Sequence, residues 1–243
     1  MKELFQQLFG KRIRSLVSVP GGRSSLNWKA VCEDGTVMLV KAVPFAKAVP
    51  RLRRLVEIYR KIDLPTVPKV LFDGRTFPFG EGELCCLSWM DGRCRAPEDL
   101  GAAAAASLVE EYARLSAALH GAVHGDLNYR NMLFKGDRLS AFVDFEMMRA
   151  GAPEDDLLRG VLHRAERLGA FAFRRRRRLV RYFRTLVAAS GIPAARWKAA
   201  IERYRNRKEG IRRRKSRNRL ALALDLAWRT RTFDRFVSAL DLV

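Results

Sequence analysis

Residues 123–134 read VHGDLNYRNMLF. An aspartate stands two residues after a histidine, and an asparagine five residues after the aspartate, with apolar runs on either side. Asp126 and Asn131 therefore share one short loop that leads directly into a β-prone run, NMLF (131–134). A second such run, LSAFVDF (139–145), follows Lys135-Gly136-Asp137, so the two are expected to form a hairpin. That hairpin would return Asp144, in VDFE (143–146), beside the loop. The set Asp126, Asn131 and Asp144 is made of hard oxygen donors with no His or Cys among them, which suits Mg²⁺ rather than zinc.

The segments upstream are strand-rich. IRSLVSV (13–19) predicts a strand, PGGRSSLN (20–27) a Gly-rich turn, and WKAVCEDGTVMLVKAV (28–43) a hairpin turning at Asp34-Gly35. Leu52, Leu55, Val56, Tyr59 and Ile62 recur at helical spacing, and Pro50 marks the start of that helix. PKVLFDG (68–74) and ELCCLSWMDG (83–92) read as two further strands. From residue 99 the pattern is helical up to Gly121, and beyond the second hairpin it predicts helices over about 155–168, 171–190, 194–208 and 216–240. The expected class is α+β, with a small antiparallel β-rich lobe over 1–92 and a mostly helical lobe over 93–243.

Four cysteines, two of them adjacent (Cys85 and Cys86), give neither a disulfide framework nor zinc-ligand spacing. MKELFQQLFGKRIRS lacks the apolar stretch of a signal peptide, and no apolar run approaches the ~20 residues of a spanning helix. The expected location is cytoplasmic, with a peripheral contact at a membrane surface. Charge is distributed unevenly. Residues 1–158 hold 22 Lys/Arg and 20 acids, whereas residues 159–243 hold 25 and 6, so nearly all of the net +21 lies in the C-terminal third. Such an excess favours polyanionic partners: anionic lipid, phosphorylated glycan or RNA.

HGDLNYRN (124–131) matches the H-x-D-x-x-x-x-N catalytic loop of protein-kinase-like phosphotransferases, and VDFE matches their metal-binding aspartate segment. Over roughly residues 13–160 the chain resembles that superfamily. The resemblance implies ATP and Mg²⁺ as cofactors. It implies that Asp126 accepts or orients the proton of a substrate hydroxyl and that Asn131 and Asp144 hold the metal. It also implies that Lys41 binds the nucleotide phosphates with Glu57 as its ion-pair partner, and that backbone groups around Trp89 and Met90 read adenine. His124 is expected to pack and hydrogen-bond within the loop. Two departures stand out: GGRSSLN offers only Gly21 and Gly22, with Ser24 and Ser25, in place of G-x-G-x-x-G, and Glu146 replaces the glycine of D-F-G. The short span from Asp144 to PEDDL (153–157) resembles the small-molecule branch, comprising aminoglycoside, choline and lipopolysaccharide kinases. There, Asp156 would support the catalytic loop.

Polycationic aminoglycosides would be repelled by the basic C-terminal part, so an anionic acceptor is expected. The run Arg174–Arg178 and a second cluster from Arg203 to Arg219, both with apolar flanks, suit contact with anionic lipid. The leading expectation is transfer to a lipopolysaccharide core sugar, heptose or Kdo, at the inner face of the inner membrane. An RNA- or ribosome-associated atypical kinase of the RIO type and another small-molecule kinase are the alternatives.

Overall fold

The computed structural model describes residues 1–20, 25–168, 172–215 and 234–238. Gly21, Gly22 and Ser24 of the Gly-rich segment, Phe171, Arg217, Arg219 and the apolar stretch 220–228 fall outside the described residues. The chain divides into two units, one formed by Met1–Asp91 with Ala141–Glu146, the other by Gly92–Ser140 and the residues from Met147 on.

In the first unit β1 (Ile13–Ser18), β2 (Leu26–Cys32), β3 (Val37–Val43), β4 (Thr76–Phe79) and β5 (Gly82–Ser88) form an antiparallel sheet of order β1-β2-β3-β5-β4. A short helix that periodicity alone did not predict, α1 (Lys2–Phe9), lays Phe5 and Phe9 on Ala30, Cys32, Met38, Val40, Ala42, Leu84 and Cys86. Eight residues are too few for an isolated helix in water, so α1 owes its existence to this burial. Strand alternation turns Lys41 and its cross-strand partner Cys85 to the opposite face. Helix α2 (Val49–Lys61), with Pro50 in its first turn, buries Leu52, Leu55, Val56, Ile58 and Tyr59.

PKVLFDG is not a strand. Val70 makes a single bridge to Leu87, then Phe72 and Asp73 take positive φ (56° and 57°) in a tight turn. The strand lies just beyond, at Thr76–Phe79, where Pro78 hides it from a β reading. At the edge of the sheet, the missing N–H costs no ladder bond.

The second unit contains α3 (Ala102–Ala118), α4 (Pro153–Arg167), α5 (Phe173–Ser190) and α6 (Ala194–Lys215). Two strand pairs accompany them: β6 (Ala122–Val123) with β9 (Arg149–Ala150), and β7 (Met132–Lys135) with residues 138–140 of β8 (Arg138–Phe142). Helix α3 packs on α5, and α4 on α6. Phe183 meets Trp197 edge-on with ring centroids 5.6 Å apart. No helix among the described residues is long and apolar enough to cross a membrane.

Candidate active site

In the second unit, the loop after β6 is suspended from a single buried carboxylate. Asp156, in the first turn of α4, accepts hydrogen bonds from the backbone N–H of His124 (2.5 Å) and Gly125 (2.9 Å) and from the Tyr112 hydroxyl (2.9 Å). Burial pushes the Asp156 carboxyl above its ordinary range, opposed by the neighbouring His124 and by these three donors. The backbone of the loop also comes unusually close to its neighbours. Gly125 has φ +76°, and a Cβ there would lie 2.0 Å from the Met147 carbonyl oxygen. Gly160, one turn after Asp156, brings the α4 backbone against the loop, where a Cβ would meet the Leu127 carbonyl at 3.3 Å.

His124 is fully buried, and its Nδ1 accepts the backbone N–H of Asp126 (3.3 Å). The ring is thereby spent on shaping the loop. Asn131 donates its Nδ2 to the Asp126 carbonyl (2.8 Å), and Asn128 donates to the same oxygen (3.1 Å). Only the amide nitrogen can donate to a carbonyl, so the Oδ1 of Asn131 is left facing away as an acceptor. The Asp126 carboxylate is clamped from α4: Arg159 donates through Nε (2.9 Å) and Nη2 (2.6 Å), both to Oδ1. Asn128 Nδ2 lies 3.2 Å from the other oxygen, Oδ2.

The first unit holds the second set. Lys41 is buried, with its ammonium 3.0 Å from Asp144 Oδ1 and 2.8 Å from Glu146 Oε1. Burial alone would lower the lysine pKa; Asp144 and Glu146 outweigh it and hold the group above its ordinary value. Asp144 sits at φ +69°, a left-handed conformation that aspartate tolerates better than most residues, and its N–H donates to the Tyr59 hydroxyl (3.0 Å). Burial keeps Tyr59 protonated far above the usual phenol range.

Glu57 is a correction. It is exposed on α2, and the carboxylates on Lys41 are Asp144 and Glu146. At ~100° per residue Glu57 lies ~200° from Tyr59, which occupies the inner face of the helix. The Trp89 backbone N–H donates to the Val37 carbonyl (3.2 Å), while its indole is engaged by Asp91 (3.0 Å) and Lys29. Met90 follows it, half-buried.

Tyr59 and Arg159 contact these groups without having been singled out by motif reading, and Glu146 had stood out only as the residue in place of the glycine of D-F-G. A helical face was the available signal for Arg159, which stands three residues after Asp156 and one before Gly160 on α4. Cys85 and Cys86 are buried, and burial pushes the Cys85 thiol up to about 12 and raises that of Cys86 as well, so neither is a reactive thiol. Among the described residues no group of three or more His, Cys, Asp or Glu side chains is disposed to hold a metal.

Residues 96–186, which include Asp126, Asn131, Asp144 and Asp156, match the model of the phosphotransferase enzyme family APH. No curated protein sequence matches the chain. Among solved structures, a thermostable mutant of aminoglycoside phosphotransferase APH(4)-Ia in ternary complex with ADP and hygromycin B superposes with TM-score 0.61 at 14% identity, covering 98% of each chain. ADP-bound aminoglycoside phosphotransferase APH(2'')-Ib gives 0.59 at 14% identity, covering 97% of this chain and 98% of that one. A streptomycin–ATP complex of APH(2'')-IIa gives 0.52 at 14% identity over 82% and 86%. The α+β, protein-kinase-like fold expected from the motif order is the fold observed. The family segment and this fold together support the expected enzyme class, an ATP-dependent phosphotransferase acting on a hydroxyl group.

Proposed function

We propose that this protein transfers the γ-phosphate of ATP, with Mg²⁺, to a hydroxyl of an anionic acceptor, and that the acceptor is a lipid-linked glycan of the lipopolysaccharide-core kind, its heptose or Kdo sugar. The observation that carries the reaction type is the suspended loop. Asp156 anchors it, Arg159 places two donors on one oxygen of Asp126, and the other oxygen, approached among the described residues only by the amides of Asn128 (3.2 Å) and Asn131 (3.4 Å), has acceptor capacity for a hydroxyl.

In this reading Asp126 Oδ2 accepts the hydrogen bond of the acceptor hydroxyl and orients its oxygen at the γ-phosphorus. A new P–O bond forms there, the bond to the β-phosphate oxygen breaks, and the hydroxyl proton passes to Asp126 as transfer completes. The guanidinium of Arg159 keeps the carboxylate from turning away. Lys41 supplies positive charge to the nucleotide phosphates, released in part from Asp144 and Glu146 when they bind. The residues proposed for Mg²⁺ each have a donor of the right kind: Asp144 uses one carboxylate oxygen on Lys41 and has the other to give, and Asn131 keeps its amide oxygen because its nitrogen is held by Asp126. A bound Mg²⁺ would neutralise phosphate charge as it develops. The solved neighbours hold ADP, AMP-PNP or ATP, which supports ATP as the donor.

The choice of acceptor rests on charge. Arg174, Arg177, Arg181 and Arg184 are exposed at helical spacing along α5, a stripe suited to anionic lipid. Aminoglycosides, the class named for the solved neighbours, are polycations that this surface would disfavour.

The test is γ-phosphate transfer from Mg·ATP to deep-rough lipopolysaccharide, to aminoglycosides and choline, and to RNA-associated protein, with Asp126→Ala as control. Transfer to lipopolysaccharide that is abolished in the control supports the reading. Robust transfer to another class with none to lipopolysaccharide would overturn the acceptor, and transfer undiminished by Asp126→Ala would overturn the site.

A further inference from the structure

Tyr129 lies in the loop between Asp126 and Asn131, and two arginines gather on it. Arg130 and Arg164 place their guanidinium carbons 5.7 and 5.6 Å from its ring centroid. Arg167 follows Arg164 by three residues on α4, on the same side of the helix.

The balance of charge here is uneven. Arg164 is neutralised by Glu98, a buried carboxylate at 2.5 Å, and Arg159 by Asp126 at 2.6 Å. Arg130 and Arg167 are exposed, and neither has a carboxylate partner among the described residues. Two positive charges thus remain beside the loop, held near a third. Such an arrangement is relieved by an anion, and guanidinium groups over an aromatic ring suit a planar or tetrahedral oxyanion.

We propose that Tyr129, Arg130, Arg164 and Arg167 form a subsite for an oxyanion of the acceptor, a phosphomonoester or a carboxylate, while its hydroxyl meets Asp126. Tyr129 stands three positions after Asp126, so their Cα atoms are at most roughly 11 Å apart. The acceptor therefore carries its anion within one or two sugar rings of the hydroxyl that is phosphorylated. This inference rests on Asp126 being the transfer site, and it adds the part of the acceptor that is recognised.

The experiment is calorimetric titration of the full chain, saturated with ADP and Mg²⁺ so that Lys41 is occupied. The probes are glucose 6-phosphate and glucuronate, with methyl glucoside as the neutral control. One or both anions should bind more tightly than methyl glucoside, and which of them does so separates phosphate from carboxylate as the source. The double variant R130Q/R167Q should weaken that binding about tenfold, the scale of two partly exposed charge-assisted contacts, with ADP affinity unchanged. Anions that bind no better than methyl glucoside, or that bind the double variant equally well, would overturn the subsite. A chain that binds no ADP would defeat the phosphotransfer reading instead, and the same comparison between wild type and variant, run without nucleotide, still decides the subsite.

Discussion

Arg159 spends two donors on one oxygen of Asp126, and this asymmetry is what makes the carboxylate useful. A freely rotating aspartate would offer either oxygen at any angle; a clamped one offers Oδ2 in one direction. Arg159→Gln should therefore lower kcat by about 10- to 100-fold while leaving KM for ATP near wild type, because ordering and not nucleotide binding is lost. Arg159→Lys should recover part of the rate, a rescue that a purely structural role would not show. The same scale decides between two glutamates. Glu146→Gln removes a partner from a buried ammonium and should cost about 2 kcal/mol of stability, with weakened nucleotide binding in titration. Glu57→Gln should change neither, since Glu57 is exposed on the outer side of α2.

At the level of elements, the catalytic loop is held from α4 more than by its own hairpin. Asp156 satisfies two backbone donors of the loop and one hydroxyl of α3. Asp156→Ala would orphan all three in a buried place and should lower stability by about 3 kcal/mol, read as a fall in Tm, with activity lost alongside. Tyr112→Phe, which deletes one donor, should cost about 1 kcal/mol and spare most of the rate. Gly125→Ala combines a left-handed backbone with a collision at the Met147 carbonyl, so it should cost at least about 2 kcal/mol and shift the loop. Circular dichroism melts of the three variants rank these costs directly.

Across the whole molecule, the net charge of +21 divides into arginines that hold the fold and arginines that do not. Arg196 and Arg203 bind Glu154 and Asp155 at the start of α4, Arg164 binds Glu98, and buried Arg176 donates to the Leu168 carbonyl (2.9 Å) at the end of α4. The run Arg174–Arg178 is therefore not one uniform surface. Replacing Arg174, Arg177, Arg181 and Arg184 together by Gln should leave Tm nearly unchanged. Sedimentation with phosphatidylglycerol vesicles at low salt should fall steeply, by about 1 kcal/mol per arginine near the surface. Arg176→Gln should do the reverse, destabilising the chain while sparing vesicle binding.

Much of this was legible in the chain itself. The spacing from His124 through Asp126 to Asn131, the Asp34-Gly35 turn, the apolar face of α2 and the basic C-terminal excess are local patterns, and local patterns survive without coordinates. The edge strand Thr76–Phe79 and α1 were not legible, because each is made by what covers or pairs with it rather than by its own periodicity. The sequence of the loop 124–131 by itself determined that Asp126 and Asn131, the proposed base and metal ligand, would share one short loop. Tertiary structure alone decided that Lys41 meets Asp144 and Glu146 in place of Glu57, and that Asp126 meets Arg159. Those partners lie 103 and 33 residues apart along the chain, and only packing chooses among so many equally charged candidates.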